Sequence, residues 1–296
     1  MSDQLIINLF EEPIEDGEFR TKNLPGEKFR PILIDRGNQL HTKVDIVGIT
    51  HGELAESDDL ASLLVFEFRF IATGGRRFKS ASVIFKFEDS EGKMNQDPVV
   101  HAISPDGQWA LNKTDRVQNV NWGVNAGLKG GIGPIDLETG VHWEVEEVKS
   151  RNFYTALTGT KRIMRRGFNG EENTVIWTLE ENEDKADGLP TFMRAAVLLR
   201  RPYDVPFTFT VKVKTDVDFV GGVKTLFGME RKDPIDPAEI DPGKFPKAAR
   251  STVKSLDPKV HNLMEMDNLD LKEVADVEIV TLLDGGELLR KGGVSK

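Results

Sequence analysis

Apolar and polar residues alternate over long runs of this chain. From Leu63 to Thr73 it reads LLVFEFRFIAT, with Phe66, Phe68 and Phe70 on alternate positions and Glu67 and Arg69 between them. A period of two places one set of side chains on each face of a strand. SASVIFKFED repeats the pattern with Ala81, Val83, Phe85 and Phe87. FTFTVKVKTDVDF does so with Phe207, Phe209, Val211, Val213, Val217 and Phe219. Gly74-Gly75 separates the first two runs, which predicts a β-hairpin. TFMRAAVLLRR is apolar on both faces and reads as a central strand, with a buried helix as the alternative.

The stretch from Val117 to Leu179 holds three tryptophans in three alternating rows. These are Val120, Trp122, Val124, Ala126 and Leu128; then Val141, Trp143 and Val145; then Val175, Trp177 and Leu179. They predict a twisted antiparallel sheet whose tryptophans stack into one core. Pro31–Asp35 and Leu40–Ile49 read as two more strands around Arg36-Gly37-Asn38. HGELAESDDLA reads as an acidic loop or one helical turn, and Val99–Leu111 as one or two strands around Pro105-Asp106-Gly107.

About ten strands between residues 30 and 220, with little helix, predict an all-β fold. The expected form is an antiparallel β-sandwich, jelly-roll-like or Greek-key, with a closed barrel and a mixed α+β fold as alternatives. Residues 1–29, with five acids from Glu11 to Glu18, read as an extended acidic arm. Residues 221–296 read as a linker and a mostly irregular extension that packs on the sandwich or on a neighbouring subunit. Asp233-Pro234, Asp236-Pro237 and Asp241-Pro242 mark it as Pro-rich. Asp257-Pro258 has the form of an N-cap and first turn, which predicts a short helix over Lys259–Met266. LKEVADVEIVTLL is left open between strand and helix.

The 296 residues contain no cysteine, so disulfides, thiolate metal sites and cysteine nucleophiles are excluded. The first residues lack the basic and apolar regions of a signal peptide, and no apolar run approaches the roughly 18 residues of a membrane-spanning helix. The expectation is a cytoplasmic protein. Net charge is −10, unevenly spread: residues 1–60 carry 13 acids against 6 bases and residues 233–296 carry 13 against 9, whereas 61–232 carry 23 against 24. A nearly neutral body between acidic ends argues against nucleic acid as a partner.

Candidate chemistry is sparse. His41, His51, His101, His142 and His261 show no ligand spacing, so neither a metal nor a cofactor is expected. Gly123, Gly127, Gly130, Gly131 and Gly133 form no phosphate-binding fingerprint. Glu144 and Glu180 are weak candidates for a catalytic carboxylate pair, because each lies beside a tryptophan-bearing strand run. Lys161, Arg162, Arg165 and Arg166, with Arg200-Arg201 and Arg76-Arg77, form basic clusters at strand ends. They suit an anionic ligand, a lipid headgroup, or the chain's own acidic arms. Residues 117–148 also have the form of a membrane-inserting or partner-binding hairpin, with Trp122 and Trp143 on its apolar rows and Gly127, Gly130 and Gly131 toward its turn.

Three classes of function follow. The leading one is a non-enzymatic binding or assembly protein that engages a protein partner or itself. The second is a membrane-active, pore-forming-type protein using the hairpin. The third is a β-sandwich hydrolase or isomerase using the carboxylates.

Overall fold

Among the described residues, the long alternating runs become strands. The computed structural model describes residues 22–37, 39–57, 59–121, 146–164, 170–183, 186, 188–218, 235–244, 252–277, 279–282 and 288–290, with backbone alone for 112–121, 146–154, 280–282 and 288–290. The body strands are β1 (Ile32–Arg36), β2 (Leu40–Glu53), β3 (Leu60–Ala72), β4 (Arg77–Asp89) and β5 (Val99–Ser104), then β6 (Gly107–Asn121), β7 (Glu146–Arg162), β8 (Thr174–Glu180), β9 (Phe192–Arg201) and β10 (Phe207–Asp218). After them come β11 (Ala238–Ile240), the one-turn helix α1 (Leu271–Val274), β12 (Ile279–Leu282) and β13 (Leu288–Arg290).

Among the described residues these strands form two antiparallel sheets. One has the order β1-β2-β3-β9-β12-β13, with β5 also on β9; the other has the order β11-β10-β4-β8-β7-β6. The sheets face each other as a β-sandwich, so the expected fold class holds. Their inner faces meet through rings. Phe66 stacks on Phe85 with centroids 4.2 Å apart, Phe68 lies 5.7 Å from Trp177, and Phe209 lies within about 6 Å of Phe66, Phe85 and Phe87. All of these rings are buried.

The expected hairpin of β3 and β4 is not formed. β3 is hydrogen-bonded to β2 on one side and β9 on the other, while β4 lies between β10 and β8 in the opposite sheet. Gly74-Gly75 is therefore a corner between layers, and both glycines take the left-handed conformation (φ +67° and +73°) that such a reversal uses. The reason lies in β3 itself. Phe66, Phe68 and Phe70 fill the sandwich, but Ala61, Leu63 and Val65 on its other face are buried as well. A strand buried on both faces takes a central place with two partners in its own sheet.

The cover for that outer face comes from residues 252–277. Met266, Leu271 and Ala275 join Leu54, Ala61, Leu63, Val65, Ala196 and Leu198 in a second apolar cluster outside the first sheet. The predicted helix over Lys259–Met266 is absent. Asp257 instead makes a turn, its carboxylate accepting from the Lys259 amide at 2.9 Å, and Val260 and Met264 beyond it are exposed. The helix starts later, capped by Asp270, whose carboxylate accepts from the Lys272 amide at 2.9 Å. Leu271 and Ala275 share one side of that turn and give it something to bury; residues 259–266 have no such pair. LKEVADVEIVTLL is thus helix at its start and strand from Ile279. The acidic segment after His51 extends β2 to Glu53 before turning.

Of the tryptophans, Trp177 alone is described in the core; Trp109 is exposed, and Trp122 and Trp143 lie outside the described residues. So do residues 1–21 of the acidic arm and 219–234 of the linker. The arm enters the described fold beside Asp236, whose carboxylate accepts from the Asn23 amide at 2.9 Å.

Phe85 touches rings of both sheets, so Phe85→Ala is expected to cost about 3–5 kcal/mol. Urea unfolding followed by tryptophan fluorescence measures it.

Candidate functional site

Among the described residues the β6–β7 ladder, with that of β2–β3, is the longest. Its register runs from Gly107↔Gly159 to Asn121↔Glu146, with an irregularity between Leu111 and Thr114. β8 accompanies β7 only from Arg162↔Thr174 to Ala156↔Glu180. Among the described residues, 146–155 therefore pair with β6 alone, a ribbon of roughly 33 Å at about 3.3 Å per residue. Among the described residues no strand pairs with the outer edge of β6, nor with the edge of β7 that β8 has left. Open edges of this length are templates for further strand pairing.

The sequence accounts for the divergence. β7 contributes Leu157 and Thr155 to the interior, both buried. Beyond them the two strands read NKTDRVQNVN and EEVKSRNFY, too poor in apolar residues to extend a core. The sheet narrows to a ribbon where its apolar content falls.

Below the ribbon, the paired part of β7 carries a close-packed lock. Gly159 pairs with Trp177, whose indole N–H donates to the Pro105 carbonyl at 2.9 Å. A Cβ on Gly159 would sit 2.2 Å from that same carbonyl oxygen and 3.1 Å from the indole nitrogen. Close backbone approach is what glycine permits here. Neither Gly159 nor Pro105 stands out in the sequence, because the lock joins residues far apart in the chain.

The basic residues lie at the opposite end of β7 from the ribbon. Lys161 reaches Glu172 at 3.2 Å and donates to the His101 carbonyl at 3.1 Å. Arg200 pairs with Asp59 at 3.1 Å and with Glu171, and the buried Arg201 pairs with Asp204 at 3.2 Å. Arg162 ends β7 opposite Thr174. Arg165 and Arg166 lie outside the described residues. Arg77 pairs with Glu181 at 2.9 Å and Asp218 at 2.5 Å, at the other end of the sandwich. The partners of these cations come from neighbouring loops and strand ends. Burial lowers the pKa of Arg201, with Asp204 opposing the shift.

Glu180 ends β8 exposed, opposite Ala156 and Ser80; Glu144, its proposed partner, lies outside the described residues. The same holds for Trp122, Gly127, Gly130, Gly131 and Trp143 of the hairpin. Among the described residues no group of three or more His, Cys, Asp or Glu could hold a metal ion, and no helix is long and apolar enough to cross a membrane.

A second polar feature was not anticipated. On the outer face of the first sheet, Arg69 bonds Asp45 at 3.0 Å and Glu67 at 2.8 Å, and Arg194 bonds Glu67 at 2.7 Å and Asp276 at 2.6 Å. Both guanidiniums lie over Phe192, at 5.3 and 5.8 Å from its ring centre. Burial raises the Asp45 pKa, against the pull of Lys43 and Arg69. This network ties α1 and its flank to β3 and β9.

No protein-family model matches the chain, and no curated protein sequence matches it. Among solved structures, a pore forming protein matches at 8% identity over 62% of this chain and 76% of its own, with a TM-score of 0.32. The Clostridium perfringens NetB toxin in its membrane-inserted form matches at 9% identity over 60% and 78%, with a TM-score of 0.25.

Gly159→Ala should push Pro105 away and break the Trp177 bond, for about 1–3 kcal/mol of lost stability. A lowered urea midpoint with a red-shifted tryptophan emission is the expected result.

Proposed function

We propose that this chain is a membrane-active protein that inserts the hairpin carried by β6 and β7. The observation that carries the reading is the ladder itself: it continues to Asn121↔Glu146, well past the last residue paired with β8. It is a polar ribbon with two open edges. Residues 122–145 join its two ends.

The sequence of that join supports the reading. Val120, Trp122, Val124, Ala126 and Leu128 alternate with Asn121, Gly123, Asn125 and Gly127, and no charge falls between Asn119 and Leu128. One apolar row and one row of small or polar residues are what a strand needs with lipid on one side and water on the other. About 9–11 residues per strand cross the hydrocarbon layer, and the run from Asn119 to Leu128 is of that order. A single hairpin in lipid leaves backbone donors unsatisfied, so insertion requires several copies closed into a barrel. The free edges of β6 and of the ribbon portion of β7 supply the pairing, copy to copy. Geometry thus favours the membrane-active reading over a purely binding role, and self-association becomes part of the mechanism.

Dye release from liposomes tests it. The full chain should release a trapped dye from phosphatidylcholine or phosphatidylserine vesicles, while Trp122→Asp and Trp143→Asp, folded normally, should release it at least roughly tenfold more slowly. Because the chain has no cysteine, single cysteines from Val120 to Leu128 can carry an environment-sensitive label. Labels on the Trp122 row should brighten on insertion and those between should not. No leakage from either vesicle, together with no alternation, defeats the proposal.

A further inference from the structure

The ribbon of β6 and β7 differs between its two faces. Its register fixes them, because directly opposed residues of an antiparallel pair share a face and successive residues alternate. Between Thr114↔Phe153 and Asn121↔Glu146, one face carries the acids Asp115 and Glu146 and no base. The other carries Arg116 directly opposite Arg151, Lys149 opposite Gln118, and a single acid, Glu147, opposite Val120. The charges of the ribbon are sorted by face.

Two like charges directly opposite on a ladder, with Cα atoms about 5 Å apart, destabilise it. Lys149 stands two residues from Arg151 on the same face and adds a third cation. Glu147 is four residues from Arg151, roughly 13 Å away at about 3.3 Å per residue. An anion shared by the arginines removes the repulsion, and a guanidinium matches phosphate in bidentate geometry. The place of the three cations along the ribbon says which anion. Val120 lies on their face, four residues beyond Arg116, and its row continues in the sequence through Trp122 and Val124. An apolar row followed by a group of cations is the order met on passing from hydrocarbon to anionic headgroups.

We infer that Arg116, Lys149 and Arg151 form a belt that holds the phosphates of anionic phospholipids where the inserted hairpin leaves the hydrocarbon. The belt presupposes the membrane-active hairpin and adds the lipid that it meets. When copies close edge to edge, each brings three cations to the same height, so the belt encircles the barrel. The face of Asp115 and Glu146 then meets water. The acidic face of a second copy is a poorer occupant of the basic face, because it gives the apolar row beyond Val120 nothing to bury against. The net charge of −10 opposes approach to anionic vesicles, so a preference for them is local in origin.

Dye release by the full chain from two kinds of vesicle tests the belt: phosphatidylcholine alone, and phosphatidylcholine mixed with phosphatidylserine. Release should be roughly tenfold or more faster from the mixed vesicles, the scale that three cations less one acid supply near an anionic surface. The ribbon variant Arg116→Gln, Lys149→Gln, Arg151→Gln should lose that preference. An equal change of charge at exposed positions elsewhere, Lys214→Gln, Lys259→Gln, Lys272→Gln, should keep it. Equal release from both vesicles, a preference that survives in the ribbon variant, or one lost as fully in the lysine control overturns the belt and leaves the membrane-active reading standing. No release from either vesicle defeats that reading, and the belt with it. A salt-sensitive oligomer in solution that the ribbon variant abolishes, without a vesicle preference, assigns the basic face to a second copy instead. Should the ribbon variant not fold, labels decide. A fluorophore on Gln118→Cys should be quenched by a quencher carried on the lipid headgroup, and one on Asn119→Cys, on the acidic face, should not; equal quenching at both, or none, overturns the belt.

Discussion

The contact between rings of the two sheets, with Phe66 on Phe85 at its centre, is the constraint on which the rest depends. It settles which face of each strand turns inward, and so which residues are left outside. On β3 the outside residues are again apolar, and that surplus requires a second cover. The strap of residues 252–277 provides it, pinned by hydrogen bonds to β2 and by the ion network on Phe192. The carboxy-terminal region is in this sense a consequence of Leu63 and Val65.

The second sheet answers the same demand differently along its length. Near Trp177 its strands are filled on the inner face, and five of them run side by side. Past Ala156 apolar residues become sparse and β7 keeps β6 as its one partner among the described residues. One continuous ladder therefore serves as core wall at one end and as projection at the other. A core-forming strand gains from neighbours on both edges, whereas the ribbon leaves its edges unpaired among the described residues.

Much of the architecture was legible in the sequence. Alternation reports the faces of a strand, and the runs of β3, β4, β8, β9 and β10 were assigned correctly on that basis. Alternation does not report neighbours. Gly74-Gly75 suits a hairpin and a corner equally well, and only the apolar outer face of β3, visible in Ala61, Leu63 and Val65, distinguished them. The false helix at Lys259 had the right cap but no apolar side to bury, and Asp270 had both. The sites were less legible because they are built from residues far apart in the chain. Pro105, Gly159 and Trp177 form one lock, and Arg116, Lys149 and Arg151 share one face. Neither has a local pattern.

The Trp177–Pro105 bond has a mechanical consequence. It clamps the ladder near its root, so the ribbon behaves as a cantilever with one fixed end and a free length of roughly 33 Å. A tilt of about 10° at the root would carry the far end through roughly 6 Å, more than the spacing of two adjacent strands. The strands at Asn121 and Glu146 are thus the positions most sensitive to the angle set at the root.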